Sequence, residues 1–282
     1  MIPVIAQALT LISATKEAIR FTGWFRRRGT KSKAKKQNIE ALFGFLQDAD
    51  FTTGNVPPDD VDSLKLFKSW LCKYFRRDRQ IEYHRQLGLA DTSKHLCSVG
   101  GPVDHVFTRY GMGYDKKGQI WRPVLPFIYP LREAAAKSPT ILREWKGYRW
   151  EATNWYIADR NGKVQFVPEV DKDGVLSKDY FMLIIAPNTF TDRAFYSGQK
   201  HIMVAPAHGL AQLAVKDILD SDTLLGELIK VRERSEYLQA IVEVPAKPTK
   251  QGYAPTGDFI LRALEPLDLG DFEKAERYRE WT

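Results

Sequence analysis

Cysteine is scarce in this chain. Only Cys72 and Cys97 occur among 282 residues, and they form no Cys-x-x-Cys pair, which argues against a disulfide scaffold and fits a reducing compartment. Long apolar runs are missing as well. The N-terminal stretch Ile2–Ile12 is interrupted by Lys16, Glu17 and Arg20 well short of the ~20 apolar residues that a bilayer needs. No basic residue precedes that stretch and no clean small-x-small site follows it, so it does not read as a signal peptide, and the default expectation is cytoplasmic with no membrane span. The five histidines and two cysteines show neither His-x-x-x-His nor His-Glu-x-x-His spacing, so no metal site and no cofactor is expected. Gly-x-Ser-x-Gly is absent, as are a complete Gly-x-Gly-x-x-Gly and a Walker A loop.

What remains is an ordinary globular composition, 44% hydrophobic and 12% aromatic, long enough for one large domain or a core with an extension. The net charge of +7 suits an anionic partner without naming one.

Residues 1–90 read as a basic helical region. Ile5, Leu9, Ile12 and Ile19 share one helical face, Ile39, Leu42, Phe43 and Leu46 a second, and Val61, Leu64, Phe67, Leu71 and Phe75 a third after the Pro57-Pro58 break. Between Lys16 and Lys36 there are nine Lys/Arg and one acidic residue, with Phe21, Trp24 and Phe25 interleaved. Arg26, Arg27, Arg28 and Lys31 are therefore candidates for contact with nucleic acid, an anionic membrane surface or a protein partner, self-association through these helices included. A solvated basic face is the plainer reading.

From about residue 94 the pattern changes. His95–Val99 is a short apolar run ending in Gly100-Gly101-Pro102. Tyr180–Ala186 ends at Pro187-Asn188, His201–Ala205 at Pro206-Ala207-His208-Gly209, and Tyr237–Val244 at Pro245. Helical stretches follow at Leu210–Leu219 and Leu224–Val231. Near-continuous apolar strands alternating with helices predict an α/β fold over 91–282: a Rossmann-like, mostly parallel sheet with helices on both faces. A hairpin around 150–168, signalled by Asn161-Gly162, is inserted in it. Phe259–Leu264 reads as an edge strand, Lys247–Pro255 as a surface loop and the last dozen residues as a polar helix.

In open parallel sheets, ligands bind beyond the carboxyl ends of the strands. Three marked strand ends, Ser98–Asp104, Ala186–Asn188 and Ala205–Gly209, thus predict one pocket for a nucleotide-type small molecule. Gly100, Gly101 and Gly209 allow close backbone approach, and a helix starting near Pro102 or Val103 would aim its amides at a phosphate. Ser98 and Asn188 offer polar contacts. Asp104 is read as a sugar contact or carboxylate nucleophile and His208 as a proton-transfer group, whereas Asp179 is placed on the opposite rim. Each turn also has a purely structural reading as a tight strand-to-helix connection.

The run Leu96–Pro102 (LCSVGGP) resembles the first-strand motif of Rossmann-like nucleoside-processing folds, including the nucleoside 2-deoxyribosyltransferase-like group. There a Gly-Pro turn borders the base and sugar site. The resemblance covers about seven residues and implies attack on an N-glycosidic bond; no matching downstream glutamate nucleophile follows. Three functions are carried forward. One is a nucleotide-type ligand acted on at its glycosidic or phosphoester bond by a hydrolase or transferase. Another is a non-catalytic nucleotide sensor signalling through the N-terminal helices. The third is a nucleic-acid-binding or assembly protein acting through the basic segment.

Overall fold

The computed structural model describes residues 33–53, 69–70, 72–75, 83–84, 91–137, 140–145, 148–172, 176–249 and 252–275. The first apolar face, Ile5–Ile19, and the basic cluster Arg26–Lys31 lie outside the described residues, as does most of the third helical stripe.

The chain is a mixed α/β protein. Its strands are β1 (Asp50–Thr53), β2 (Tyr83–His84), β3 (Leu96–Val99), β4 (Phe127–Ile128), β5 (Thr140–Trp145), β6 (Tyr148–Thr153), β7 (Ile157–Asp159), β8 (Gln165–Phe166) and β9 (Glu169–Val170). They continue with β10 (Leu176–Pro187), β11 (Lys200–Pro206), β12 (Tyr237–Thr249), β13 (Gly252–Pro255) and β14 (Ile260–Leu267). The main sheet runs β13-β12-β10-β11-β3-β1-β2, with β14 also on β12 and β9 on β10.

The four strands β11, β3, β1 and β2 are mutually parallel. The other half is antiparallel: β10 runs against both β11 and β12, and β12 runs against β13 and β14. This corrects the expectation of a mostly parallel sheet. Apolar runs on both faces report burial, and burial carries no information about strand direction. The sheet also draws β1 and β2 from the region read as helical.

Alternation along the strands sorts the core into two layers. Phe181, Leu183, Ile185, Ile202, Val204, Cys97 and Val99 face one side, under Ile39, Leu42 and Phe43 of the helix at 33–43 and under the helices Val215–Leu219 and Asp222–Arg232. Met182, Ile184, Ala186, Met203 and Ala205 face the other, against Tyr114, Tyr129, Ile157, Phe195 and Phe272. The stretch read as one helix from Leu210 breaks at Ala214 into Gly209–Leu213 and Val215–Leu219. Ser221 caps the next helix by accepting from the Leu224 amide.

The predicted hairpin is β7 with β8, and Gly162 in its turn has φ +68°. Lys247–Pro255, expected as a loop, is a β12–β13 hairpin at the sheet edge, where Pro248 is tolerated. Of the polar C-terminal helix, Leu269–Lys274 is described.

Candidate functional site

The strand order fixes where a site belongs. The chain passes from β1 outward to β2 and then returns to β3 on the other side of β1, so the order reverses between β1 and β3. A crevice opens at such a point beyond the carboxyl ends of the strands. The residues there are Thr52 and Thr53 on β1, Ser98 and Val99 on β3, and the turn Gly100–Asp104.

That turn is held tightly. Gly100 has φ +136° and its amide donates to the Val204 carbonyl at 2.9 Å, which stitches the end of β3 to β11. A Cβ on Gly101 would stand 2.9 Å from the Pro206 carbonyl oxygen, so the two strand ends meet where only a glycine fits. The Ser98–Asp104 and Ala205–Gly209 ends are therefore adjacent, as expected.

The third strand end is not. Because β10 is antiparallel, Pro187 pairs with Lys200 at the start of β11, and Asn188 lies on the opposite rim. There its amide nitrogen donates to the Thr92 and Lys94 carbonyls at 3.0 and 2.6 Å, bracing the approach to β3. The same reversal moves Asp179 the other way, onto the rim of the turn. It is buried, and its carboxylate accepts from the Ala211 amide at 2.9 Å.

The helix after the turn also starts later than expected. It spans Val106–Gly111, and His105 is its N-cap, with Nδ1 accepting from the Thr108 amide at 2.9 Å. Asp104 is exposed and makes no hydrogen bond to His208. His208 is buried, with Nε2 3.2 Å from Oδ1 of Asn154, whose own amide donates to the Pro168 carbonyl. The Trp/Tyr-rich middle thus covers the end of β11 through Asn154. Gly209 is buried at the start of its helix.

Beneath the turn lies a polar layer that the sequence reading did not single out. Thr52 Oγ1 and Ser98 Oγ are 2.8 Å apart, and Ser98 Oγ is 2.6 Å from His201 Nε2. Ser98 is fully buried, so it knits the layer together rather than presenting a hydroxyl to the surface. His201 is pushed down to about 3 by burial, helped by the neighbouring His105 and Arg122, and is neutral at pH 7. His105 is likewise pushed down to about 3 by burial. The nearby Thr52 backbone opposes that shift.

Arg122 is buried against Trp121, donates from Nη2 to the Gly111 carbonyl at 2.7 Å, and leaves Nη1 unpartnered; burial lowers it to about 10, so it keeps its charge. Arg109 clasps the turn from its outer side. Its Nε donates to the Pro102 carbonyl at 2.6 Å, Nη2 to the Val103 carbonyl and Nη1 to the Lys116 carbonyl at 3.2 Å. Signals for two of these residues were present: His105 stands three before Thr108, a capping spacing, and Arg109 follows within the same turn of helix. Nothing local marks His201 or Thr52, which reach the layer through strand pairing.

A concavity of about 670 Å³ lies between residues 118–133 and the β7–β8 hairpin, and none of the site residues expected from sequence lines it. Among the described residues no group of three or more His, Cys, Asp or Glu side chains is arranged to hold a metal ion, and no helix is long and apolar enough to cross a membrane. Comparison with protein-family models, with curated proteins and with solved structures returns no match.

Proposed function

We propose that this chain binds a nucleotide-type small ligand in the crevice between β1 and β3, in the manner of Rossmann-like folds. The observation that carries the reading is the coincidence of the order reversal with the Gly100–Gly101 turn at the carboxyl end of β3. Gly100 and Gly101 give backbone approach, and the exposed Asp104 carboxylate accepts a hydroxyl from the sugar.

Binding stands ahead of bond-breaking in this proposal. His208, the proton-transfer candidate, has its ring buried against Asn154, while Asp104 stands exposed at a distance from any hydrogen bond to it. The test is equilibrium calorimetry of the full chain against nucleosides, their phosphates and NAD, followed by product analysis. Saturable binding that weakens in Asp104→Asn supports the reading. Absence of binding across the panel overturns it, and turnover abolished by His208→Ala would move the function to catalysis.

A further inference from the structure

The helix Val106–Gly111 rests at both ends on buried bases. At its start His105 is the N-cap, 1% exposed, and its Nδ1 accepts from the Thr108 amide at 2.9 Å. At its end Gly111 lies on the His201 ring, and the Gly111 carbonyl accepts from Arg122 Nη2 at 2.7 Å. His201 and Arg122 are 1% and 2% exposed. Three bases thus share one dry layer.

Among the described residues no carboxylate acts on any of the three. β1 and β3 bring the hydroxyls of Thr52 and Ser98 to the layer, with the Thr52 backbone beside His105, and β11 brings Met203. The helix adds Phe107 and Thr108 against His105, and Tyr110, which acts on Arg122. Phe190 stands edge-on to His201 at 5.6 Å, and Trp121 lies against Arg122. Cys97, next on β3, faces the opposite layer, while the Asp104 and Asp115 carboxylates act on Arg109 instead.

This helix is also lightly tied to the rest of the molecule. Phe107 and Tyr110 belong to a small cluster with Leu96 and Phe190, backed by Val106 and Trp121, apart from the two main core layers. An element with few apolar contacts opens on its own at a lower cost than the whole fold. Arg109 would leave with it, releasing the Pro102 and Val103 carbonyls and so the turn.

Protonation acts at both ends. Both ring nitrogens of an imidazolium are donors, so a charged His105 cannot accept from the Thr108 amide, and a cation at this end opposes the helix dipole. A charged His201 keeps its bond to Ser98 but sits dry beside Arg122, a second cation with no counter-ion.

We infer that the layer is an acid-released latch: His105 and His201 each take up a proton as the helix Val106–Gly111 lifts from the sheet, and the Gly100–Asp104 turn loosens with it. The latch does not depend on what the crevice between β1 and β3 binds. Both rings are held down to about 3 while closed, against ~6.5 for a hydrated imidazole, so the open form binds more protons. The closed form is therefore unaffected above about pH 6.5 and is weakened progressively as pH falls from there towards about 3.

The test is hydrogen exchange of the full chain read by mass spectrometry from pH 7 to pH 5, with rates corrected for the intrinsic pH dependence of amide exchange. Peptides covering 106–113 report the latch, and peptides from β10 and β12 report the sheet. The window lies above the ordinary carboxylate range, which leaves histidine as the titrating group. With two protons taken up, exchange at 106–113 should rise about fifty- to hundredfold from pH 6 to pH 5, and β10 and β12 should lag well behind. In His105→Asn, which retains a capping acceptor, and in His201→Gln, which retains a polar partner for Ser98, the rise should drop to about tenfold. A rise of tenfold or less in the parent would overturn the latch, as would β10 and β12 changing in step with 106–113. Variants that keep the parent's full rise would overturn the assignment to these two rings. The parent profile decides the matter alone if a variant fails to fold.

Discussion

Gly111 ends the helix that covers the polar layer, and replacing it by alanine gives a sharp test of how closely that layer is packed. A Cβ there would stand 2.5 and 2.6 Å from His201 Cε1 and Nδ1 and 2.8 Å from Met203 Sδ. All three distances are shorter than a carbon contact tolerates. His201 cannot turn aside cheaply, because its Nε2 is bonded to Ser98 at 2.6 Å within a fully buried layer. Overpacking of this kind costs about 1–3 kcal/mol, and the backbone benefit of Gly→Ala in a helix returns at most ~1 kcal/mol. The net expectation is about 1–2 kcal/mol of destabilisation, or a Tm lower by roughly 2–4 °C for each kcal/mol. Thermal and urea denaturation of the full chain read both quantities, with an unchanged m-value expected. A variant as stable as the parent would refute the packing, since it would mean that the helix does not rest on His201.

Asp220 offers a pH-dependent prediction. Its carboxylate accepts from Tyr74 Oη at 2.6 Å, Trp70 Nε1 at 3.1 Å and Lys73 Nζ at 3.0 Å, tying Trp70, Lys73 and Tyr74 to the end of the helix Val215–Leu219. Burial opposes its ionisation, but the hydrogen bonds from Tyr74 and Lys73 and the charges of Lys73 and Lys35 outweigh that, so it sits below the usual carboxylate value. The stabilisation is present above the unfolded pKa of ~3.9 and is lost as pH falls through the lower folded value. Asp220→Asn should cost about 1.5–3 kcal/mol at pH 7, and the gap between the two proteins should shrink on acidification; a gap constant down to pH 3 would count against the assignment. Gly101→Ala forces the end of β3 away from Pro206 and should weaken nucleotide binding at least tenfold in calorimetry, with unaltered affinity counting against the site. Arg109→Met removes the clasp on Pro102 and Val103 and should speed hydrogen exchange at the turn, an effect absent if the turn holds itself.

The elements were legible where hydrophobic runs are bounded by Gly or Pro. β3, β10, β11 and β12, the β7–β8 turn and the helix after Ser221 all follow from that signal. Strand direction was not legible. Tyr180–Ala186 looks the same to any periodicity argument whether it runs with β11 or against it, and that one ambiguity exchanged Asn188 and Asp179 between the two rims. For the candidate site, the Gly100–Gly101 turn and its neighbour at Ala205–Gly209 were visible as strand ends. The polar layer under them was not, because Thr52, Ser98 and His201 are separated by 46 and 103 residues and meet only through the register of β1, β3 and β11. The basic N-terminal cluster remains a sequence observation alone.

The central claim is that a nucleotide-type ligand occupies the crevice between β1 and β3. A crystal structure of the full chain grown with a saturating nucleoside 5′-monophosphate tests it most directly. The predicted result is ligand density over Gly100–Asp104, with the Asp104 carboxylate at the ligand's hydroxyl groups. Ligand seated elsewhere, with the turn closed over by the protein's own side chains, would contradict it.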